Sequence, residues 1–153
     1  MEDFTIRLIT TETEFKNVVT KAMIKEQWRP GLLDAECYLA GDPTGTFVGE
    51  LNGKPIGCIM LTKYGEEFGY LGVFVVNEEY RGKGYGIKIF NAALASVKPS
   101  RNINALATAP HLVSMYERSG FREHFNIVSF DFHLSNGLYF TENSKFNRGY
   151  QVH

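Results

Sequence analysis

The stretch Glu79-Tyr80-Arg81-Gly82-Lys83-Gly84-Tyr85-Gly86 places three glycines within five residues and interleaves them with two cations. Glycine has no Cβ, so backbone N–H groups at such positions can approach a ligand closely. Downstream, Ile89, Phe90, Ala93, Leu94 and Val97 recur at helical spacing. The glycine run therefore stands at a helix N-terminus, whose positive end favours an anion by roughly 0.3–1 kcal/mol. Convergent N–H donors with Arg81 and Lys83 beside them suit a diphosphate. The P-loop pattern GxxxxGK[ST] is not met, and a dinucleotide GxGxxG would need glycine where Ile87 stands. For the three glycines taken alone, a purely structural turn is the competing reading.

Charge supports the ligand reading. The 153 residues sum to −1, which argues against a dedicated nucleic-acid partner. Residues 1–80, however, hold 13 acids and 7 bases, and residues 81–153 hold 4 acids and 9 bases. From Arg81 to Tyr116 there are five bases (Arg81, Lys83, Lys88, Lys98, Arg101) and no acid, with chance clustering on solvated faces as the competing reading. The two cysteines, Cys37 and Cys58, show no zinc-like spacing, so no metal is expected and a reducing, cytoplasmic setting is the simplest reading. The longest apolar run, Leu71 to Val76, is too short to span a bilayer, and the N-terminus is acidic, without a signal-peptide apolar region. No membrane partner is expected.

The elements that must position the glycine run follow from periodicity and turn chemistry. Phe4, Ile6 and Leu8 alternate as in a half-buried strand. Thr11-Glu12-Thr13-Glu14 offers a capping box, and Phe15, Val18, Val19, Ala22 and Met23 follow at helical spacing until Arg29-Pro30-Gly31. A short helix spans Leu32 to Ala40 and a loop spans 41–45. Strands Thr46–Leu51 and Lys54–Lys63 are joined by Asn52-Gly53, the signature of a two-residue type I′ hairpin. Phe68–Val76 is apolar on both faces and is expected to be central. A helix over Gly84–Val97, a strand Ile103–Thr108, a helix His111–Ser119 stopped by Gly120 and a strand Phe121–Leu134 complete the order. The expected class is α+β, with a mixed, mainly antiparallel central sheet flanked by helices, in one domain over 1–134 and a C-terminal tail, 135–153, of unassigned structure.

Arg81-Gly82-Lys83-Gly84-Tyr85-Gly86 resembles the [Q/R]-x-x-G-x-[G/A] loop of the GNAT superfamily of acyl-CoA N-acyltransferases. Met115-Tyr116-Glu117-Arg118-Ser119-Gly120-Phe121 resembles the family's late helix–turn–strand element, and the element order agrees from Phe4 to Leu134. The resemblance implies acetyl-CoA as co-substrate. Its diphosphate would lie on Arg81, Gly82, Lys83, Gly84, Tyr85 and Gly86, and its pantetheine along Phe74, Val75 and Val76. Lys88 or Arg101 would be candidates for the 3′-phosphate. Tyr116 falls at the family's tyrosine acid, with a core aromatic as the alternative. Ala109 stands where many relatives place an asparagine.

The resemblance further implies direct attack by an amine on the thioester, in a site that accepts the amine's proton. Glu67, Tyr70, Glu78, Glu79 and His111 are the candidate bases, none singled out. The acceptor would come from the acidic first half, where Trp28, Asp34 and Glu36 place an aromatic beside carboxylates, suited to a small cationic amine. A core tryptophan with solvated acids is the alternative there. A protein N-terminal or lysine acetyltransferase, or an acyl-CoA-binding module without turnover, are the rival functions. A homodimer, or a chain forming one half of a longer enzyme, is compatible with the same residues.

Overall fold

The computed structural model describes residues 2–99, 101–108, 110–125 and 127. It forms two compact units, one up to Leu112 and one from Val113 onward.

In the first unit β1 (Phe4–Leu8) alternates half-buried Phe4, Ile6 and Leu8 with exposed Thr5 and Arg7. Thr11 then caps a helical rod, its Oγ1 accepting the Glu14 N–H at 3.3 Å. The rod comprises α1 (Glu12–Phe15), a π-helical stretch (Lys16–Thr20) and α2 (Lys21–Lys25). Phe15, Val19 and Met23 form its buried stripe. The rod ends earlier than expected from Arg29-Pro30-Gly31. Gln27 adopts φ +61°, and the Trp28 and Gln27 N–H groups return to Met23 O and Ile24 O at 2.9 and 3.0 Å. This is a Schellman closure with glutamine in the left-handed position glycine usually takes. α3 (Asp34–Gly41) follows.

β2 (Thr46–Leu51) and β3 (Lys54–Tyr64) form the expected hairpin, with φ +50° at Asn52 and +75° at Gly53. β4 (Phe68–Val76), a 3₁₀ turn (Glu78–Tyr80), α4 (Tyr85–Ala95) and β5 (Asn102–Ala105) complete the unit. The sheet runs β1-β2-β3-β4-β5, antiparallel except for the parallel β4–β5 pair. The mixed, mainly antiparallel class holds. The middle strand, though, is β3, whose residues from Ile56 to Thr62 are all buried; β4 lies one place further out. β5 starts one residue before and ends three before the expected Ile103–Thr108.

Each sheet face has its own core. Ile9, Phe15, Val19, Met23, Ala35, Val48, Cys58, Met60 and Val75 cluster under the rod and α3. On the opposite face α4 buries Ile89, Phe90 and Ala93. A Cβ at Gly49 would stand 2.5 Å from Ile89 Cδ1, so the bare glycine is what admits α4 so close to the sheet.

The second unit contains the rest of α5 (Pro110–Arg118). Gly120, at φ +91°, ends the helix as expected, with Phe121 N–H donating to Tyr116 O at 3.0 Å. Of the strand expected over 121–134, residues 121–125 and 127 have no strand pairing, and the remainder lies outside the described residues, as does the tail 135–153.

Candidate active site

The site begins where the sheet comes apart. β5 pairs with β4 only from Phe68 to Leu71, and β4 then continues to Val76 without it. At the same point the β3–β4 register slips between Cys58 and Met60, and Val73 takes φ +38°. A positive φ at a β-branched residue costs on the order of 1–3 kcal/mol and persists only where packing imposes it. Val73 packs against the core under the rod. Past the slip, the Asn77 N–H donates to Ile56 O at 2.8 Å. Backbone groups alternate sides along a strand, so Val76 turns its N–H and C=O away from β3, toward the side β5 has left.

The glycine turn closes over that end of β4. Gly82 and Gly84 adopt φ +72° and +82°, where a side chain would be strained. Gly84 is the N-cap of α4, no side chain caps the helix, and its first turn carries no acid. Its leading N–H groups are thus left for a ligand. A Cβ at Gly86 would stand 3.3 Å from Val76 Cγ2 and 3.4 Å from Phe74 Cζ, so the helix start rests directly on Phe74 and Val76. The structure therefore brings together Phe74, Val76, Gly82, Gly84 and Gly86. Val75 points to the other face and belongs to the core under the rod.

The side chains divide differently. Arg81 Nε donates to Val76 O at 2.7 Å, and its Nη2 pairs with Glu26; Lys25 and Glu79 form a second, longer pair at 4.0 Å. Arg81 thus fastens the turn to β4 and to the end of the rod. Lys83 Nζ lies 5.7 Å from the Tyr80 ring centroid, and Lys54 Nζ lies 5.5 Å from it. Tyr85 is buried: its ring sits 4.8 Å from Phe4 and its hydroxyl donates to Glu2 at 2.9 Å. It contributes its backbone to the turn, while its side chain packs away on β1. Lys88 stands over Phe4 and Tyr85. Arg101 is removed from the 3′-phosphate candidates. Its Nη1 donates to Gly65 O and Phe68 O at the start of β4, about 26 Å from the turn at the rise of a strand.

The chain matches the model of the Acetyltransferase (GNAT) family over residues 8–121. It belongs to the GNAT family. It is 29% identical over 109 residues to the holothin acyltransferase of Pseudoalteromonas sp. (strain SANK 73390), covering 71% of this chain and 36% of that protein. The chain therefore spans little more than a third of that relative. Among solved structures, a protein of the GNAT family from Xanthomonas campestris pv. campestris aligns with TM-score 0.66 at 20% identity, over 91% of this chain and 98% of the other. The IAA acetyltransferase of Bacillus cereus ATCC 14579 aligns with TM-score 0.61 at 22% identity, over 78% and 77%.

The remaining sequence candidates of this GNAT chain have these surroundings. Trp28 is half-buried against the core under the rod. Asp34 Oδ2 accepts the Gly31 N–H at 2.8 Å, and Glu36 lies 3.9 Å from Lys16. Among the candidate bases, Glu79 is paired with Lys25, while Glu67, Tyr70, Glu78 and His111 are exposed. In the second unit Tyr116 is buried, with its ring 5.4 Å from Phe121. Among the described residues no group of three His, Cys, Asp or Glu could hold a metal, and no helix is long and apolar enough to cross a membrane. Two site features escaped sequence reasoning. Glu26 lies 55 residues from Arg81 and carries no local signal. The slip at Val73 falls on a residue type that disfavours positive φ, with Gly72 before it as the one hint.

Proposed function

We propose that this chain is an N-acetyltransferase that moves the acetyl group of acetyl-CoA onto the primary amine of a small molecule, by direct attack with both substrates bound. The observation that carries the reading is a single continuous stretch, Leu71 to Gly86. It combines a strand edge left by β5, a turn with two left-handed glycines and an uncapped helix N-terminus. That combination fits an extended arm joined to a diphosphate. Acetyl-CoA supplies the activated acyl thioester.

The residues divide the remaining work. The backbone of Gly82, Gly84, Tyr85 and Gly86, with the Lys83 ammonium, holds the diphosphate. Arg81 acts on the turn, keeping it against Val76 and Glu26. The Phe74–Val76 edge offers backbone pairing for the pantetheine arm. Along that edge the N–H groups that point away from β3, those of Phe74 and Val76, are the donors directed to the pantetheine arm and its thioester carbonyl. Tyr116 returns a proton to the departing thiolate. An alkylammonium costs about 4.6 kcal/mol to deprotonate at pH 7, so the site must also accept a proton, directly or through water. Trp28, Asp34 and Glu36 are the acceptor-side candidates from the acidic half. Cys37 and Cys58 are both free, in keeping with a cytoplasmic setting.

Calorimetric titration with acetyl-CoA is expected to give a low-micromolar dissociation constant, and thiol release over an amine panel to report turnover. No detectable binding would sink the proposal. Tight binding without release from any amine or peptide would favour a non-catalytic acyl-CoA module, and release with peptides alone a protein acetyltransferase.

A further inference from the structure

The sheet register assembles an aromatic surface that the cofactor turn does not use. Thr62 lies opposite Tyr70 and Tyr64 opposite Phe68, and directly paired residues project from the same face. With the period of two along β3, Tyr64, Phe68 and Tyr70 share the face of Met60 and Cys58, which lie in the core under the rod. Met60 and Cys58 are sealed, yet Tyr64, Phe68 and Tyr70 are 51%, 36% and 39% exposed. From α3, Tyr38 stacks on Phe15 at 6.0 Å. Asp34 and Tyr38 lie four residues apart on α3, hence on one helix face. The end of α3 is fastened beside Tyr64: the Asp42 N–H donates to Tyr38 O at 2.9 Å and the Asp42 carboxylate accepts the Lys63 N–H at 2.8 Å. Asp34 accepts the Gly31 N–H, and no basic side chain among the described residues pairs with it. At the other margin, a Cβ on Gly72 would meet Tyr70 Cε1 at 3.4 Å, and Val73 of the slip comes next. The surface thus runs from the Asp34 carboxylate to the point where β4 parts from β5.

We infer that Tyr38, Tyr64 and Tyr70, with Asp34, form the acceptor surface and select amines carried on a planar aromatic ring. Aromatic faces reward both a stacked ring and a nearby cation, and the Asp34 carboxylate complements the ammonium. A flexible aliphatic amine gains the charge attraction without the stacking. The inference rests on the acetyl-transfer reading for the chemistry after binding and stands without it for binding itself.

The test therefore uses the full chain without cofactor. Tryptamine and hexylamine are titrated separately and followed by ligand-observed NMR. Tryptamine is expected to bind about tenfold more tightly, and Tyr70→Leu and Tyr64→Leu each to cut that ratio to about twofold or less. Asp34→Asn is expected to weaken both amines alike. Equal affinity for the two amines, or a ratio unchanged in both tyrosine variants, overturns the inference. A parallel acetyl-CoA titration separates the two readings: absence of cofactor binding would remove the transferase proposal while the amine ratio still decides this one.

Discussion

Asp42 shows how much a single side chain can hold. It caps the end of α3, is buried, and accepts from Thr44 N at 3.0 Å, Thr44 Oγ1 at 2.9 Å and Lys63 N at 2.8 Å. Lys63 Nζ adds an ion pair at 2.9 Å. Burial alone would raise the carboxyl pKa, but the Lys63 and Thr44 contacts outweigh it and hold the group below its usual 3.8. A depressed folded value means the contribution is complete above about pH 4 and is lost as pH falls through the folded pKa. Asp42→Ala is expected to cost about 3 kcal/mol at pH 7 by chemical denaturation, and clearly less at pH 3. An equal loss at both pH values would remove the charge from the argument. Turn chemistry in the sequence marks residues 41–45 as a loop, and Asp42 does make a local turn with Thr44. Its bond to Lys63, 21 residues away, has no local signal. At the same scale, burial pushes the Cys58 thiol up to about 12, so it stays protonated and inert as a core residue.

Among the elements, the turn before α4 was the most legible, because its proposed role derives from residue type at adjacent positions. Gly84 sits at φ +82° with nothing within 4 Å of where a Cβ would stand. A valine there meets no clash, only the left-handed backbone cost of roughly 1–2 kcal/mol, and the turn must shift to relieve it. Gly84→Val is expected to weaken acetyl-CoA at least about tenfold while lowering the thermal midpoint by only about 2–8 °C. Normal cofactor affinity would count against the cradle. The Asn52-Gly53 hairpin was legible for the same local reason. The end of the rod was not: Gln27 supplies the left-handed residue that glycine usually supplies, and the closure depends on bonds back to Met23 and Ile24. The breadth of β4 misled as well. Apolar residues on both faces mark an interior strand, which β4 is, between β3 and β5, and they do not rank it against β3 by position in the sheet.

For the molecule as a whole, the net charge of −1 joins an acidic first half to a basic second half that begins at Arg81. The structure places the basic turn against the end of the rod, where Glu26 takes Arg81, so part of the asymmetry is neutralised internally. The proposed chemistry also needs Tyr116, which lies beyond Leu112 in the second unit. Tyr116→Phe is expected to lower turnover about a hundredfold while leaving acetyl-CoA affinity within about twofold. Unchanged turnover would return Tyr116 to a packing role with Phe121. The sequence by itself determined the order of elements as far as α5, the GNAT resemblance and the glycine turn, because periodicity, caps and turn residues act over a few adjacent positions. Only the tertiary structure decided where the sheet parts, that Arg81 serves the turn through Val76 and Glu26, and that Tyr64 and Tyr70 share an exposed sheet face beside the end of α3. Those features depend on register and packing between residues far apart in the chain, whose energies exist only once the strands and helices have met.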